Sequence, residues 1–199
     1  MTENYKRELC KAKPFAAFTQ TELLEKAVTL LTQLPKTLKE AQYNTLIEPL
    51  SYLWANLDKR HRKQFNQMLT AHCRGLQVIP WLPKLKARIE KQSFTATKGG
   101  QGHVYFILLD RSKVVSSDCK TGLYIGQSQY RPKRRFQHHK SGKHASRVVQ
   151  KHGAFVLESL SYIFAPIRRK EAIRMEARLL NELRAANLSN LPKKLIKGH

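Results

Sequence analysis

Residues 98–199 are predicted to fold as a small α+β domain, a three-stranded, mainly antiparallel sheet flanked by helices, preceded over 1–97 by an all-α domain. Three observations predict this. Apolar residues recur at helical spacing from about Thr19 to Lys91. The glycine-rich run Lys98-Gly99-Gly100-Gln101-Gly102 then interrupts the pattern and reads as a flexible junction. Beyond it, short runs rich in Val, Ile, Tyr and Phe alternate with helical segments in the order strand, strand, helix, helix, strand, helix.

In the first half, Thr19-Gln20-Thr21-Glu22 is a capping-box pattern leading into Leu23, Ala27, Leu30, Leu31 and Leu34, and Pro35 ends the helix. A second stripe, Leu38, Ala41, Leu46, Leu50, Leu53, Trp54 and Leu57, is expected to kink or split at Pro49. Asp58 can cap a third helix carrying Phe65, Met68, Leu69 and Cys73, closed by Gly75. Pro80-Trp81-Leu82-Pro83 reads as a turn before a short basic helix over Lys84 to Lys91. His61, His72 and Cys73 do not make a zinc site, which needs about four convergent ligands. No motif fixes the role of this half, which fits a DNA-docking or partner-binding module and a structural buttress equally.

In the second half, the first strand covers His103 to about Asp110, and the second covers Gly122 to Ser128. Pro132 opens the next helix, Ser141-Gly142-Lys143 breaks the chain, and a short helix covers Ala145 to Lys151. Ala154 to Ala165 reads as the third strand, stopped by Pro166. The last helix runs from about Arg169 to Asn187, with Ile173, Ala177, Leu180 and Leu183 as its apolar stripe and Leu179 at the edge.

The 199 residues carry a formal charge of +23. From Lys91 onward 22 basic residues face 6 acidic ones, against 15 and 8 before it, so the positive field is strongest in the second half. That balance predicts a nucleic-acid partner rather than a membrane surface. The polar start is not a signal peptide, and no window approaches the about 18–20 apolar residues of a membrane span. Cys10, Cys73 and Cys119 read as reduced thiols, so a cytoplasmic location is expected.

Glu176 is the sharpest single residue. It lies three positions after Ile173 and four before Leu180, and so points with the stripe toward the sheet. A carboxylate there is costly unless it pairs with a cation such as Arg174 or Arg178, or holds a metal. Tyr105 and Tyr124 on adjacent strands can meet on one sheet face, although strand tyrosines alone are usually packing residues. Arg134 and Arg135 offer guanidinium groups for a phosphate. His139, one turn after Arg135, shares its helix face.

The series Val104-Tyr105, Gly122-Leu123-Tyr124-Ile125-Gly126, Arg134-Arg135-Phe136, His139 and Glu176 resembles the GIY-YIG nuclease superfamily over about Gly102 to Asn190. The first motif departs from the pattern, with His103-Val104 in place of its glycine and isoleucine, and the two tyrosines are farther apart than usual. The resemblance implies a divalent-metal-dependent endonuclease that hydrolyses DNA to a 5′-phosphate and a 3′-hydroxyl. Glu176 would hold one Mg²⁺ or Mn²⁺, Arg135 would clamp the phosphate, Tyr105 would activate water with His139 assisting, and Tyr124 would orient it. His144 matches a second histidine of some members, and the late asparagine is Asn187 or Asn190, the latter preferred. Arg131, Lys133, Arg134, His138, Lys140, Lys143 and Arg147 are expected as nucleic-acid contacts.

The expected setting is a restriction, homing or mobile-element enzyme acting on double- or single-stranded DNA. One site per chain implies a homodimer, or two successive nicks, for double-strand cutting. The competing expectations are a catalytically inactive nucleic-acid-binding protein on the same scaffold, and a ribonuclease.

Overall fold

The computed structural model describes residues 17–32, 40–72, 77–91, 98–110, 121–142, 144–164, 166–185 and 196–197. The capping box forms as expected: the Glu22 carboxylate accepts from the Thr19 backbone N–H (2.7 Å) and hydroxyl (2.8 Å), and Thr19 Oγ1 accepts from the Glu22 N–H (3.3 Å). Those bonds hold the Glu22 pKa below the usual carboxylate range. Helix α1 (Gln20–Thr32) buries Leu23, Ala27, Leu30 and Leu31.

Helix α2 (Glu40–Asn56) runs on through Pro49 rather than splitting there. Leu46, Ile47, Leu50 and Leu53 are all buried around the proline. At about 1.5–3 kcal/mol for each side chain, their burial outweighs the about 3 kcal/mol a mid-helix proline costs. Asp58 then caps helix α3 (Lys59–His72), its Oδ1 accepting from the His61 backbone N–H at 2.9 Å. Arg62 reaches back to donate to the Trp54 and Ala55 carbonyls (3.0 and 2.7 Å) and lies 4.6 Å over the Trp54 ring. Helix α4 (Leu82–Lys91) follows the buried Trp81. Every regular element described before residue 92 is a helix.

The chain divides into two units, Met1–Ala87 and Arg88–His199. The sequence placed this boundary at the glycine run. Those glycines instead belong to strand β1 (Lys98–Asp110) and are tied down. Gly99 and Gly100 donate to the Pro166 carbonyl, and Gly102 bridges Ile167. A Cβ on Gly100 would lie 2.0 Å from the Ile167 carbonyl oxygen, so glycine here permits a close backbone approach rather than a loose joint.

Strand β1 pairs antiparallel with β2 (Thr121–Ser128) and, on its other edge, with β3 (Gly153–Val156). Two residues, β4 (Ile196–Lys197), add a short parallel pairing beside β2, giving the order β3-β1-β2-β4. The three main strands are antiparallel and helices flank them, so the second unit is α+β. Helices α5 (Pro132–Lys140) and α6 (Arg147–His152) lie between β2 and β3.

Two further expectations need correction. The third strand stops at Val156, and the chain turns into the one-turn helix α7 (Glu158–Ser161). Phe106 on β1 takes bonds there that a longer strand would have made: its carbonyl accepts from the Leu157 N–H (2.8 Å), and its N–H donates to the buried Ser161 hydroxyl (2.9 Å). The final helix, α8 (Arg169–Ala185), turns a different stripe inward. Ala172, Met175, Glu176, Leu179, Leu180 and Leu183 are buried, whereas Ile173 is 47% exposed and Ala177 faces solvent. Close approach between Gly102 and Ala172 fixes that rotation.

Candidate functional site

One face of the sheet assembles the site. Register places Tyr105 opposite Gly126, and Tyr124 opposite Ile107. Side chains alternate along a strand, so both tyrosines project from the same face, within a core that includes Ile107, Leu109, Val149 and Val156. Their ring centroids are 6.2 Å apart. Gly126 makes room for the first phenol, because a Cβ there would fall 2.5 Å from Tyr105 Oη.

Helix α5 delivers His139 and Arg135 to this pair. His139 is fully buried, 5.8 Å from the Tyr124 ring centroid, and its Nε2 lies 2.8 Å from Tyr105 Oη. Its other nitrogen, Nδ1, accepts the Ser146 backbone N–H at 2.9 Å. A neutral imidazole with Nδ1 occupied as an acceptor carries its hydrogen on Nε2. His139 therefore donates to Tyr105. It does not take a proton from it. Arg135 is half-buried, donates to the His144 carbonyl at 2.9 Å and acts on the Tyr105 oxygen.

Burial pushes the Tyr105 pKa up, Arg135 and Tyr124 pull it back, and Glu176 adds to the rise. Burial raises the Tyr124 pKa further, assisted by Tyr105 and Glu176, with Ser146 opposing. Glu176, 6% exposed on the inward face of α8, thus acts electrostatically on both phenols from a third element. Tyr105, Tyr124, Arg135 and His139 accordingly form one cluster, and the Glu176 carboxylate acts on its two phenols.

Among the described residues no group of three or more His, Cys, Asp or Glu could hold a metal ion. One carboxylate beside neutral phenols still suits Mg²⁺ or Mn²⁺, since such ions bind through one or two carboxylates together with waters and substrate phosphates. Glu176 is the residue that would hold it. His144 supplies its carbonyl to Arg135, from a left-handed backbone (φ 49°), and its side chain is exposed. Lys143, Asn187, Asn190 and all three cysteines lie outside the described residues.

The expected nucleic-acid contacts divide. Arg131, Arg134 and Arg147 are exposed. Arg134 lies 5.1 Å over the Tyr130 ring, and His138 meets the same ring edge-on at 4.7 Å. Lys140 is also exposed, but its ammonium is engaged, donating to the Gln150 and Gly153 carbonyls (3.3 and 3.1 Å). Lys133 pairs with Glu158 at 2.9 Å, an exposed ion pair of small energetic weight.

Sequence reasoning missed three contributors. Ser146, at the N-cap of α6 where the sequence suggested a helix already begun at Ala145, fixes the His139 tautomer through its N–H. Tyr130 organises Arg134 and His138. His103 stands on the Tyr105 face of β1, its pKa lowered by burial and by Arg131. No protein-family model, curated protein or solved structure matches this chain.

Proposed function

We propose that the second unit is a divalent-metal-dependent endonuclease of the GIY-YIG type that hydrolyses DNA phosphodiester bonds. The observation that carries this reading is the grouping of Tyr105, Tyr124, Arg135 and His139 from two strands and a helix, with the buried Glu176 carboxylate of α8 acting on both phenols, within a strongly basic chain. A cation bound at Glu176 would supply charge neutralisation for the scissile phosphate and the leaving oxygen. Arg135, the member of the inner cluster that keeps part of its surface exposed, holds the phosphate.

Tyr105 is the proton acceptor for the attacking water. Its burial opposes ionisation, whereas the His139 donor and the nearby Arg135 guanidinium favour it. His139 is a positioning residue that stabilises the phenolate, and Tyr124 orients water and phosphate. Tyr105, Tyr124 and His139 have no exposed surface, so substrate must open the cluster, on the side where Arg135 reaches solvent.

That same burial favours a second reading, in which the polar cluster is a satisfied core network of a binding protein without activity. Incubation of supercoiled plasmid, single-stranded oligonucleotide and RNA with Mg²⁺, Mn²⁺ or EDTA separates the readings. The nuclease predicts metal-dependent nicking of DNA, reduced at least a hundredfold by Glu176→Ala. Salt-sensitive binding without cutting in either metal identifies the inactive scaffold, and preferential RNA cutting identifies a ribonuclease.

A further inference from the structure

Helix α3 of the first unit carries no acidic residue along Lys59–His72. Phe65 and Leu69 anchor its inner side. Its outer side presents Lys59, Lys63, Asn66, Gln67 and Thr70, all exposed, at successive i, i+4, i+7, i+8 and i+11 positions of one stripe. With Arg62 and Ala71 these residues line an open depression of about 700 Å³. Arg62 spends its guanidinium on the Trp54 and Ala55 carbonyls, and Asn66 accepts from Trp54, so this face is braced from behind. Asp58, the residue just before α3, is engaged with His61. Lys59 and Lys63 join no salt bridge among the described residues.

We propose that the outer face of α3 docks on duplex DNA, with Lys59 and Lys63 on phosphates and the Asn66, Gln67 and Thr70 row toward a groove. The proposal rests on the DNA reading of the charge and gives the first unit a role in that reading. Three features select the occupant. The stripe extends about 16 Å, at about 1.5 Å per residue, a straight polar rod of the kind the major groove admits. The exposed stripe has no Phe, Tyr or Trp, the stacking groups that single strands require. A membrane-surface helix needs a large apolar face opposite its cations. The large hydrophobics exposed among the described residues are Tyr162 and Ile173, neither of them on α3.

The test measures binding of the full-length chain to a random-sequence duplex in EDTA across a salt series, for wild type, Lys59→Ala/Lys63→Ala and Gln67→Ala. All three should show the same circular dichroism. Loss of two phosphate contacts should reduce the slope of log K against log salt by about 1.8 and weaken binding at least tenfold at about 150 mM salt. Gln67→Ala should leave that slope unchanged, since an amide releases no counterion.

An unchanged slope in the double variant, or an equal fall in Gln67→Ala, overturns the assignment. Anionic phospholipid vesicles bound as tightly as duplex, with the same loss in the double variant, would make a membrane the occupant and also overturn it. Parallel cleavage assays keep the two ideas apart. Binding through α3 without cutting sinks the nuclease reading alone, and cutting with α3 binding unaltered sinks this inference alone.

Discussion

Gly126 leaves the Tyr105 hydroxyl barely enough space, as the 2.5 Å approach of a hypothetical Cβ indicates. Gly126→Ala should therefore displace the phenol and cost about 1–3 kcal/mol by overpacking, read as a lower urea midpoint with an unchanged m-value. His139 matters for a different reason. Because its Nε2–H donates to Tyr105, it favours the phenolate, and its removal should raise the Tyr105 pKa further. If Tyr105 accepts the proton, kcat rises with pH below that pKa. His139→Phe should move the rising limb to higher pH, His139→Gln, which keeps a donor, should move it less, and Tyr105→Phe should abolish it. An identical pH profile in wild type and His139→Phe would exclude the donor role.

At the level of elements, Ser161 shows how one hydroxyl decides where a strand stops. Ser161→Ala would leave the buried Phe106 N–H without this acceptor, at a cost of about 1–3 kcal/mol, measurable by chemical denaturation. The apolar run after Gly153 concealed that bond, because Phe155, Val156 and Leu157 read as strand whatever follows them. Local signals fared better: the Thr19–Glu22 box, the Asp58 cap and Pro132 at the start of α5 each state their chemistry within four residues. Rotation of α8 was legible only in part. Glu176 falls inward as its spacing suggested, but Ile173 does not, since Gly102 against Ala172, a pairing remote in sequence, chooses the face. The inner cluster was legible through residue types at strand and helix positions. Part of what escaped was contributed by the backbone, the Ser146 N–H and the His144 carbonyl.

Across the whole molecule, two buried phenols with raised pKa values make stability depend on alkaline pH. A folded-state pKa above the unfolded value of about 10 gives a contribution fully present below that pH. It is lost as pH rises from there toward the folded values, because only the unfolded chain releases the protons. The melting temperature should fall more steeply above about pH 10 in wild type than in Tyr124→Phe, as a thermal series in matched ionic strength would record. The glycine run has a practical corollary for dissecting the chain. Since Gly99, Gly100 and Gly102 grip Pro166 and Ile167 immediately upstream of α8, they steer the aim of Glu176 from the opposite end of the polypeptide segment. An excised second-unit fragment trimmed to His103 would discard its own alignment key, and a fragment starting ahead of Lys98 would retain it.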